Sequence, residues 1–576
     1  MKFSIFNFQF ELFWSEIKLC LFSVKWKNLL LVLVLGLALF LRIYKISDYP
    51  AGLNADEAAI GYNAYSLLKT GKDEFGHSWP INFQSFNDYK PGLYFYLVLP
   101  FVKIFGLNEL AVRLPNVILG TLTVLLLYFL VNEMFAPELT QISFRIDPNT
   151  LALVSSVLLA VSPWHIHFSR GGWESNASLF FMTLGVYLFF ISLKKPKYFA
   201  FCILSFALSM FTYHSARVIV PLLGLGLVVF YRKKIFLRQN FRCLVLAAVV
   251  GGVLMTILLY SMQGAAGASR FSGVGIFADQ GPIWRVNELR GQHTDPFSSF
   301  PKIIHSKYFG YGIQFLDNFL RHFNGDFLFI SGDEIQRNKV PEMGQMYLIE
   351  IPFLVLGLYF LIKNKQGNWK FILWWLMVAP VASALTFQSP HAIRALNMVI
   401  PLVILTGYGV IQCFCWLKEK TSLYYVLCIM YLGLLIWNLS FYLHQYYVHY
   451  PKTYPAAWEY GFKGLVGYIK EVGGKYETIY VTNKYDQPYI LFAFYLKYPP
   501  AQFQKEAKLT PRDQYGFSTV EHFGKYYFGP VDLTTLPAGG RTLVIGAPNE
   551  IPDSATILKR VYFKDGKTEA FRISEN

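Results

Sequence analysis

Long apolar runs separated by short polar loops fill most of the chain. Eleven of them approach the roughly 17–25 residues that a helix needs to cross a bilayer. They lie near 28–46, 111–134, 150–168, 175–193, 198–215, 216–231, 243–262, 346–362, 370–388, 395–416 and 423–443. A twelfth run, 91–106, is shorter, and we interpret it as a helix that lies at the outer surface or re-enters the membrane. The pattern predicts an α-helical polytopic membrane protein with about eleven transmembrane helices.

The loops between these runs predict the orientation. Basic residues cluster around Lys194, Arg232, Lys363 and Lys418, and loops of this kind are retained in the cytoplasm. The N-terminus is then cytoplasmic, because 91–106 does not cross. The segments left on the external side are 48–110, 165–176, 214–217, 263–345, 391–394 and the chain after 444. Most polar groups that could do chemistry therefore share the external face.

Three parts follow from this topology. Residues 1–27 mix aromatic residues with lysine, which predicts a cytoplasmic amphipathic segment. Residues 28–443 form a transmembrane domain with external loops 48–110 and 263–345. Residues 444–576 predict a small extracytoplasmic α/β domain.

The α/β prediction for this last part rests on periodicity. A helical period at 456–472 is followed by short runs rich in β-branched residues at 478–482, 541–545 and 556–563. Such runs, punctuated by glycine, proline and aspartate, are typical of strands.

Composition supports a membrane protein and removes one alternative. Of the 576 residues 54% are hydrophobic, and the mean hydropathy is +0.35, which is more apolar surface than one or two soluble cores hide. The net charge of +16 would suit nucleic acid, but topology explains the basic loops. No P-loop, HExxH or GxSxG motif is present. We therefore expect membrane lipid, and not nucleic acid, as a partner.

An adjacent pair of carboxylates, Asp56 and Glu57, follows the first apolar run. Ionisable groups beside a bilayer are costly unless they have a function. Neighbouring side chains point in different directions, so one can face a reaction while the other holds a partner. The alternative is a helix cap, since Asn54 and Asp56 are both residues that cap helices. We predict acid–base chemistry on a substrate that is itself in the membrane.

Tyr89 and Lys90 stand before Pro91 at the head of the surface run, where we expect a helix to begin. A lysine at a helix N-terminus opposes the helix dipole. An anionic ligand such as a phosphate would explain it, and the alternative is a lysine that snorkels to the lipid headgroups.

Three other external turns each carry an arginine beside a second polar residue. They contain Arg170 with Glu174, His214 with Arg217, and His391 with Arg394. Because guanidinium groups bind phosphate oxygens in pairs, the turns predict a phosphate cradle. Contact with lipid headgroups is the alternative for each arginine. A divalent metal is possible, but no histidine or carboxylate set has ligand spacing that would assign it, so no cofactor is assigned.

These segments resemble the motifs of polytopic GT-C glycosyltransferases. The similarity is to the bacterial branch that contains protein O-mannosyltransferases and the lipid A aminoarabinose transferase. It rests on Asp56-Glu57, on runs 89–94 and 108–115, on Ser162-Pro163, on Ser169-Arg170 with Glu174, and on runs 327–333 and 391–396. The chain departs at Glu174, where relatives usually carry aspartate, and at Gly92, where they often carry proline.

The resemblance implies a hexosyl- or pentosyltransferase of the cell membrane that takes a sugar from a polyprenyl-phosphate donor. The acceptor would be a hydroxyl of a protein, lipid or glycan on the extracytoplasmic face, and direct displacement would invert the anomeric centre. Asp56 would be the catalytic base with Glu57 beside it. Lys90, Tyr89 and the residues of the three turns would bind the donor.

Three other functions compete with this one. A transporter or flippase of lipid-linked sugars would favour charges inside the spans and matched halves with broken helices, whereas here the ionisable groups lie mainly at span ends. A glycan polymerase or ligase would share the donor chemistry, and a non-catalytic scaffold would act through the C-terminal part.

Overall fold

The computed structural model describes residues 24–86, 88–136, 147–263, 273–420, 423–511, 518–534 and 541–575. Residues 1–23 of the predicted amphipathic segment 1–27 therefore lie outside the described residues.

The membrane part consists of helices and one β-hairpin. In chain order its elements are α1 (Val24–Ile43), α2 (Ala55–Thr70), β1 (Asn82–Ser85), β2 (Asp88–Pro91), α3 (Leu93–Phe105), α4 (Glu109–Phe135), α5 (Pro148–Val161), α6 (Pro163–Ser169), α7 (Glu174–Ser192), α8 (Phe199–Thr212), α9 (Ala216–Ile235), α10 (Phe241–Ser261), α11 (Gly281–Gly291), α12 (Ser299–Ile304), α13 (Lys307–Arg321), α14 (Ile351–Asn364), α15 (Trp369–Val378), α16 (Val381–Ala384), α17 (Val399–Lys420), α18 (Tyr424–His444) and α19 (Tyr450–Thr453).

Six of the described helices, α1, α4, α7, α10, α17 and α18, are long and apolar enough to cross a membrane, or seven if the bent pair α5–α6 is one span. A multi-pass membrane protein is thereby confirmed. The count of eleven stays a prediction, because several predicted runs form shorter or interrupted helices. The run 91–106 contains only the 13 residues of α3, about 20 Å of helix, which is too short to cross, in line with our interpretation.

The axes of α5 and α6 are bent by 59°, and Pro163 at the start of α6 explains the bend. Proline has no N–H to donate to the carbonyl four residues earlier, which here belongs to Leu159. The Arg42 guanidinium of α1 donates to that carbonyl at 3.3 Å and to Ala160 O at 3.1 Å. Its Nη2 also lies 2.7 Å from Nδ1 of His165. The Ser162 N–H also donates to Leu159 O, at 3.4 Å, so the buried arginine adds a second donor at the carbonyl that the proline cannot pair.

The C-terminal part is an α/β unit, which agrees with the prediction. Its elements are α20 (Phe462–Val472), β3 (Thr478–Thr482), α21 (Pro488–Leu496), α22 (Pro500–Glu506), β4 (Lys508–Leu509), β5 (Val520–Phe523), β6 (Tyr526–Gly529), β7 (Thr542–Gly546), β8 (Ile557–Tyr562) and β9 (Glu569–Glu575). The strand order is β4-β5-β6-β3-β7-β9-β8, and β3 pairs in parallel with both β6 and β7. Of the three predicted runs, 478–482 and 541–545 correspond to the central strands β3 and β7, and 556–563 corresponds to the edge strand β8.

The C-terminal unit shares its core with the segment that carries the carboxylate pair. One hydrophobic cluster contains side chains of α2, α3, α21 and the sheet. Gly61 of α2 is so close to α21 that a Cβ there would lie 2.6 Å from the ring of Phe494. Tyr62 Oη donates to the carbonyl of Tyr498 at 2.9 Å. The helix that begins at the carboxylate pair is therefore held directly against the C-terminal unit.

Candidate active site

The cap of α2 decides between the two interpretations of the carboxylate pair. Asn54 is the N-cap, and its side-chain oxygen accepts from the backbone N–H of Glu57 at 3.0 Å. Asparagine is among the residues that cap helices best. Asp56 is therefore not needed as a cap, and its side chain is left for another role.

Glu57 is fully buried and forms an ion pair with Arg113 of α4. Arg113 Nε and Nη2 donate to the two carboxylate oxygens at 2.8 and 2.9 Å, and the N–H of Gly172 donates at 2.7 Å. Both carboxylate oxygens of Glu57 therefore accept hydrogen bonds from other groups of the protein. The prediction that Glu57 is catalytic is therefore corrected: it is a positioning residue that fixes the start of α2.

Asp56 points the other way and is 26% exposed. Its Oδ1 forms an ion pair with Lys90 Nζ, and its Oδ2 lies 3.9 Å from Nη2 of Arg337. A carboxylate between two cations, open to solvent on one side, can accept a proton from a hydroxyl that approaches it.

Lys90 lies in strand β2 and not at a helix N-terminus, which corrects our expectation. Phe83 of β1 is its register partner, and Nζ also lies 5.1 Å from the centre of the Phe86 ring. The helix α3 starts later, after Gly92. A Cβ at Gly92 would lie 2.5 Å from the carbonyl oxygen of Ile81, so the hairpin closes only with glycine at this position.

The turn before α9 meets this hairpin. His214 Nε2 lies 3.0 Å from the carbonyl oxygen of Tyr89. Since a carbonyl only accepts, Nε2 carries the proton, and Nδ1 accepts from Arg217 Nη1 at 3.4 Å. Arg217 Nη2 also donates to Asn82 Oδ1 at 3.4 Å. The structure thus brings His214 and Arg217 to the hairpin that carries Lys90, and a phosphate cradle at this place stays a prediction.

Arg394 belongs to the same region. It lines a small cavity together with residues from the start of α7 and from the turn before α9, among them Ser175, Tyr213 and Ser215. The space that a water-sized sphere can enter there is about 20 Å³, roughly one water molecule. Arg394 Nη1 donates to Thr386 Oγ1 at 2.6 Å. Two of the three predicted turns therefore converge beside the first residues of α7.

Glu174 is the first residue of α7, as the sequence predicts. The loop before it is tied to the first acidic site, because Gly172 donates to Glu57 and Asn116 donates to the carbonyls of Gly171 and Trp173. The two acidic loops of the resemblance are thus adjacent.

Arg170 does not take part in the cradle. It is fully buried and donates to the carbonyls of Leu41 and Arg42 at 2.8 and 3.1 Å, and to those of Tyr44 and Tyr49 at 2.7 and 3.1 Å. These bonds fasten the end of α1 to α6. The prediction that Arg170 binds the donor is therefore wrong in this structure.

His391 likewise faces another partner. Its Nδ1 lies 3.6 Å from Oδ2 of Asp333, which also accepts from the Ala392 N–H at 2.6 Å. The side chain is almost completely buried. This places His391 in a loop-bracing network, which corrects its assignment to the donor phosphate.

Two residues near Asp56 were not predicted as site residues. Arg337 belongs to the long loop before α14, where its carbonyl accepts from His167 Nε2 at 2.9 Å and from Tyr450 Oη at 3.1 Å. Asp486 follows β3 in the C-terminal unit, and its Oδ2 lies 3.8 Å from Nη1 of Arg337. Their charges were visible in the sequence, but no spacing connected them to Asp56.

Among the residues that the structure describes, no group of three or more His, Cys, Asp or Glu side chains is arranged to hold a metal ion.

Comparisons with known proteins identify the fold. Residues 89–260 match the family of dolichyl-phosphate-mannose-protein mannosyltransferases. The structure of ArnT from Cupriavidus metallidurans superposes with a TM-score of 0.51 at 12% identity, covering 95% of this chain and 98% of that one. The fold is that of GT-C glycosyltransferases.

Two further proteins are similar to parts of this chain. The Archaeoglobus fulgidus oligosaccharyltransferase, in a complex with Zn and sulfate, gives a TM-score of 0.51 at 11% identity, with 81% of this chain and 61% of that one covered. A protein of Aquifex aeolicus described as uncharacterized is 29% identical over 211 residues, which are 36% of this chain and 37% of the relative. The match thus spans little more than a third of that relative's length.

Proposed function

We propose that this protein is a membrane glycosyltransferase that transfers a sugar from a polyprenyl-phosphate donor to an acceptor hydroxyl on the extracytoplasmic face, with inversion and with Asp56 as the base. The observation that carries the proposal is the placement of Asp56. In this GT-C fold, the partly exposed carboxylate of Asp56 lies at the start of α2, where it is paired with Lys90 and close to Arg337.

The chemistry needs one base and several cations. The acceptor oxygen attacks the anomeric carbon, its proton passes to Asp56, and the bond from that carbon to the phosphate oxygen breaks with its electron pair on the phosphate. A phosphate leaving group is already anionic, so cations stabilise it better than a strong general acid would. Lys90, Arg217 and Arg394 are the cations available for it.

Glu57 and Arg113 support this step indirectly. Their buried pair fixes the first turn of α2, and a base acts well only if it is held within hydrogen-bond reach of the proton it removes. The matched family is described by a dolichyl-phosphate-mannose donor, which supports a polyprenyl-phosphate sugar as the donor that we assign.

The test compares the purified wild type with Asp56→Asn in proteoliposomes that contain a panel of polyprenyl-phosphate sugars, with polyprenyl-phosphate mannose among them. We expect the wild type to release polyprenyl phosphate and Asp56→Asn to be at least about a hundredfold slower, since a positioned base contributes about 10²–10⁴. Asp317→Asn, which breaks a surface pair with Arg321, is the matched control and should keep the wild-type rate.

Other results would point elsewhere. Equal release by both proteins would remove Asp56 from catalysis. Movement of the lipid-linked sugar across the bilayer without release would favour the transporter, and transfer only onto a growing glycan would favour the polymerase or ligase.

A further inference from the structure

The loop that carries Asp486 leaves the C-terminal sheet at a position where α/β sheets bind ligands. It follows the carboxyl end of β3, the central strand of the parallel set β6-β3-β7. The Asn483 N–H still donates to the carbonyl of Gly529 at the end of β6 at 3.1 Å. In open parallel sheets the crevice outside these strand ends is the usual ligand site.

The backbone turns sharply in this loop. Gln487 has φ +47°, a left-handed conformation that non-glycine residues adopt at a cost and that clusters at binding sites. The turn presents the Asp486 carboxylate to solvent with 52% of its side chain exposed.

Arg337 links this loop to the candidate base. Its two terminal nitrogens lie 3.8 Å from Asp486 and 3.9 Å from Asp56, which is longer than a hydrogen bond. The guanidinium therefore stands between two carboxylates without being committed to either, and it is 30% exposed. A polar ligand can bind the remaining donors of Arg337 and the remaining acceptors of Asp486.

The two oxygens of Asp56 face different surroundings. Oδ1 faces Lys90, whose strand is held by His214 and, through it, by Arg217, so this side is cationic. Oδ2 faces Arg337 and, beyond it, Asp486. An anionic phosphate is favoured on the first side and opposed by the carboxylate on the second.

A second carboxyl group, that of Glu459, is near enough to be influenced by the charges of Asp486 and Arg337. Glu459 is buried, and within the described structure its Oε2 has no hydrogen-bond partner. Burial raises the pKa of Glu459 well above its ordinary range, and the charge of Asp486 raises it further. Partial burial at the junction also raises the pKa of Asp486, with Asp56 adding to the shift while Arg337 and Lys90 oppose it.

We propose that Asp486, Arg337 and Glu459 form an acceptor subsite, here called the junction subsite, that binds the hydroxyl groups of a neutral saccharide beside Asp56. This inference rests on the proposed function and deepens it, because it assigns the acceptor class and gives the C-terminal unit a part in the reaction. Adjacent sugar hydroxyls donate to the Asp486 carboxylate and accept from Arg337, while the reacting hydroxyl faces Oδ2 of Asp56.

The test uses the full-length protein in proteoliposomes with polyprenyl-phosphate mannose as donor and mannobiose as acceptor probe. Transfer to mannobiose is measured beside transfer to water. Asp486→Asn should lower the ratio of the two by about tenfold, mainly through a higher KM for mannobiose, since a hydrogen bond to a charged group is worth about that in affinity. Glu521→Gln, an exposed carboxylate on β5 of the same unit, should keep the wild-type ratio.

A second readout does not depend on turnover. Saturation-transfer NMR of mannobiose should give a signal with wild type and Glu521→Gln, and a much weaker one with Asp486→Asn. If no protein releases polyprenyl phosphate but this difference is seen, the proposed function fails and the junction subsite stands. If Asp486→Asn keeps the wild-type ratio and signal, if the wild type gives no signal, or if a serine-containing peptide is glycosylated in place of mannobiose, the junction subsite is refuted.

Discussion

The buried pair of Glu57 and Arg113 provides the sharpest test of how the site is held in place. In Glu57→Gln the side chain keeps its shape but loses its charge, so one amide N–H₂ faces the guanidinium that now donates to a carboxylate at 2.8 and 2.9 Å. Arg113 would remain buried with the backbone carbonyls of Ile46, Pro50 and Gly52 as its acceptors and with no carboxylate to balance its charge. Removing one partner of a buried ion pair costs about 3–5 kcal/mol.

A matched substitution on α4 separates this effect from a general loss of charge. Glu109 pairs at 2.9 Å with Lys463, whose side chain is 66% exposed, and also accepts from Tyr495 Oη. Pairs with an exposed partner are worth about 0–1 kcal/mol, and glutamine keeps an oxygen for the tyrosine. Glu109→Gln should therefore cost no more than about 1 kcal/mol.

The assay is unfolding in mixed detergent micelles, followed by tryptophan fluorescence. Trp458 is a local reporter, because its ring lies 5.8 Å from Cζ of Arg113. Arg113→Met should destabilise at least as much as Glu57→Gln, and the double variant should cost less than the sum, since both remove the same interaction. Equal shifts for Glu57→Gln and Glu109→Gln, or additive single variants, would refute the role that we assign to the pair.

Two other predictions concern loops outside the spans. Burial raises the pKa of Glu74 from 4.5 to about 8, so between these pH values the folded protein keeps a proton that the unfolded chain loses. The free energy of unfolding should therefore fall by up to roughly 1.4 kcal/mol per pH unit in this range. The unfolding midpoint of Glu74→Gln should lack this dependence on pH, and parallel profiles of the two proteins would contradict the prediction. Asp333 accepts from Ala392 N–H on Oδ2 at 2.6 Å and from Ile335 N–H on Oδ1 at 2.9 Å. Because an asparagine cannot accept with both side-chain atoms, Asp333→Asn should loosen the loop of Arg337 and lower kcat for polyprenyl-phosphate release by about tenfold. Wild-type kinetics would show that the loop does not depend on this carboxylate.

The sequence by itself determined that the chain is a multi-pass membrane protein and predicted the residue that we propose as the base. Apolar runs specify membrane helices because the bilayer core leaves backbone groups no other partner. The adjacent pair Asp56 and Glu57 implied two separate roles, since neighbouring side chains diverge. The cap at Asn54 and the α/β character of the C-terminal part also follow from local residue preferences, which act within a few positions of the chain.

Only the tertiary structure decided which charged groups meet. Arg170 and Arg217 both stand in short polar turns of the sequence. Arg170 donates hydrogen bonds to backbone carbonyls around the end of α1, whereas Arg217 donates to Asn82 in the hairpin that carries Lys90. Lys90 lies in a strand because Gly92 lets two segments approach closely, a contact that no helical period signals. Arg337 and Asp486 come to Asp56 from a distant loop and a distant strand end, and long-range approach depends on packing, which residue spacing does not encode.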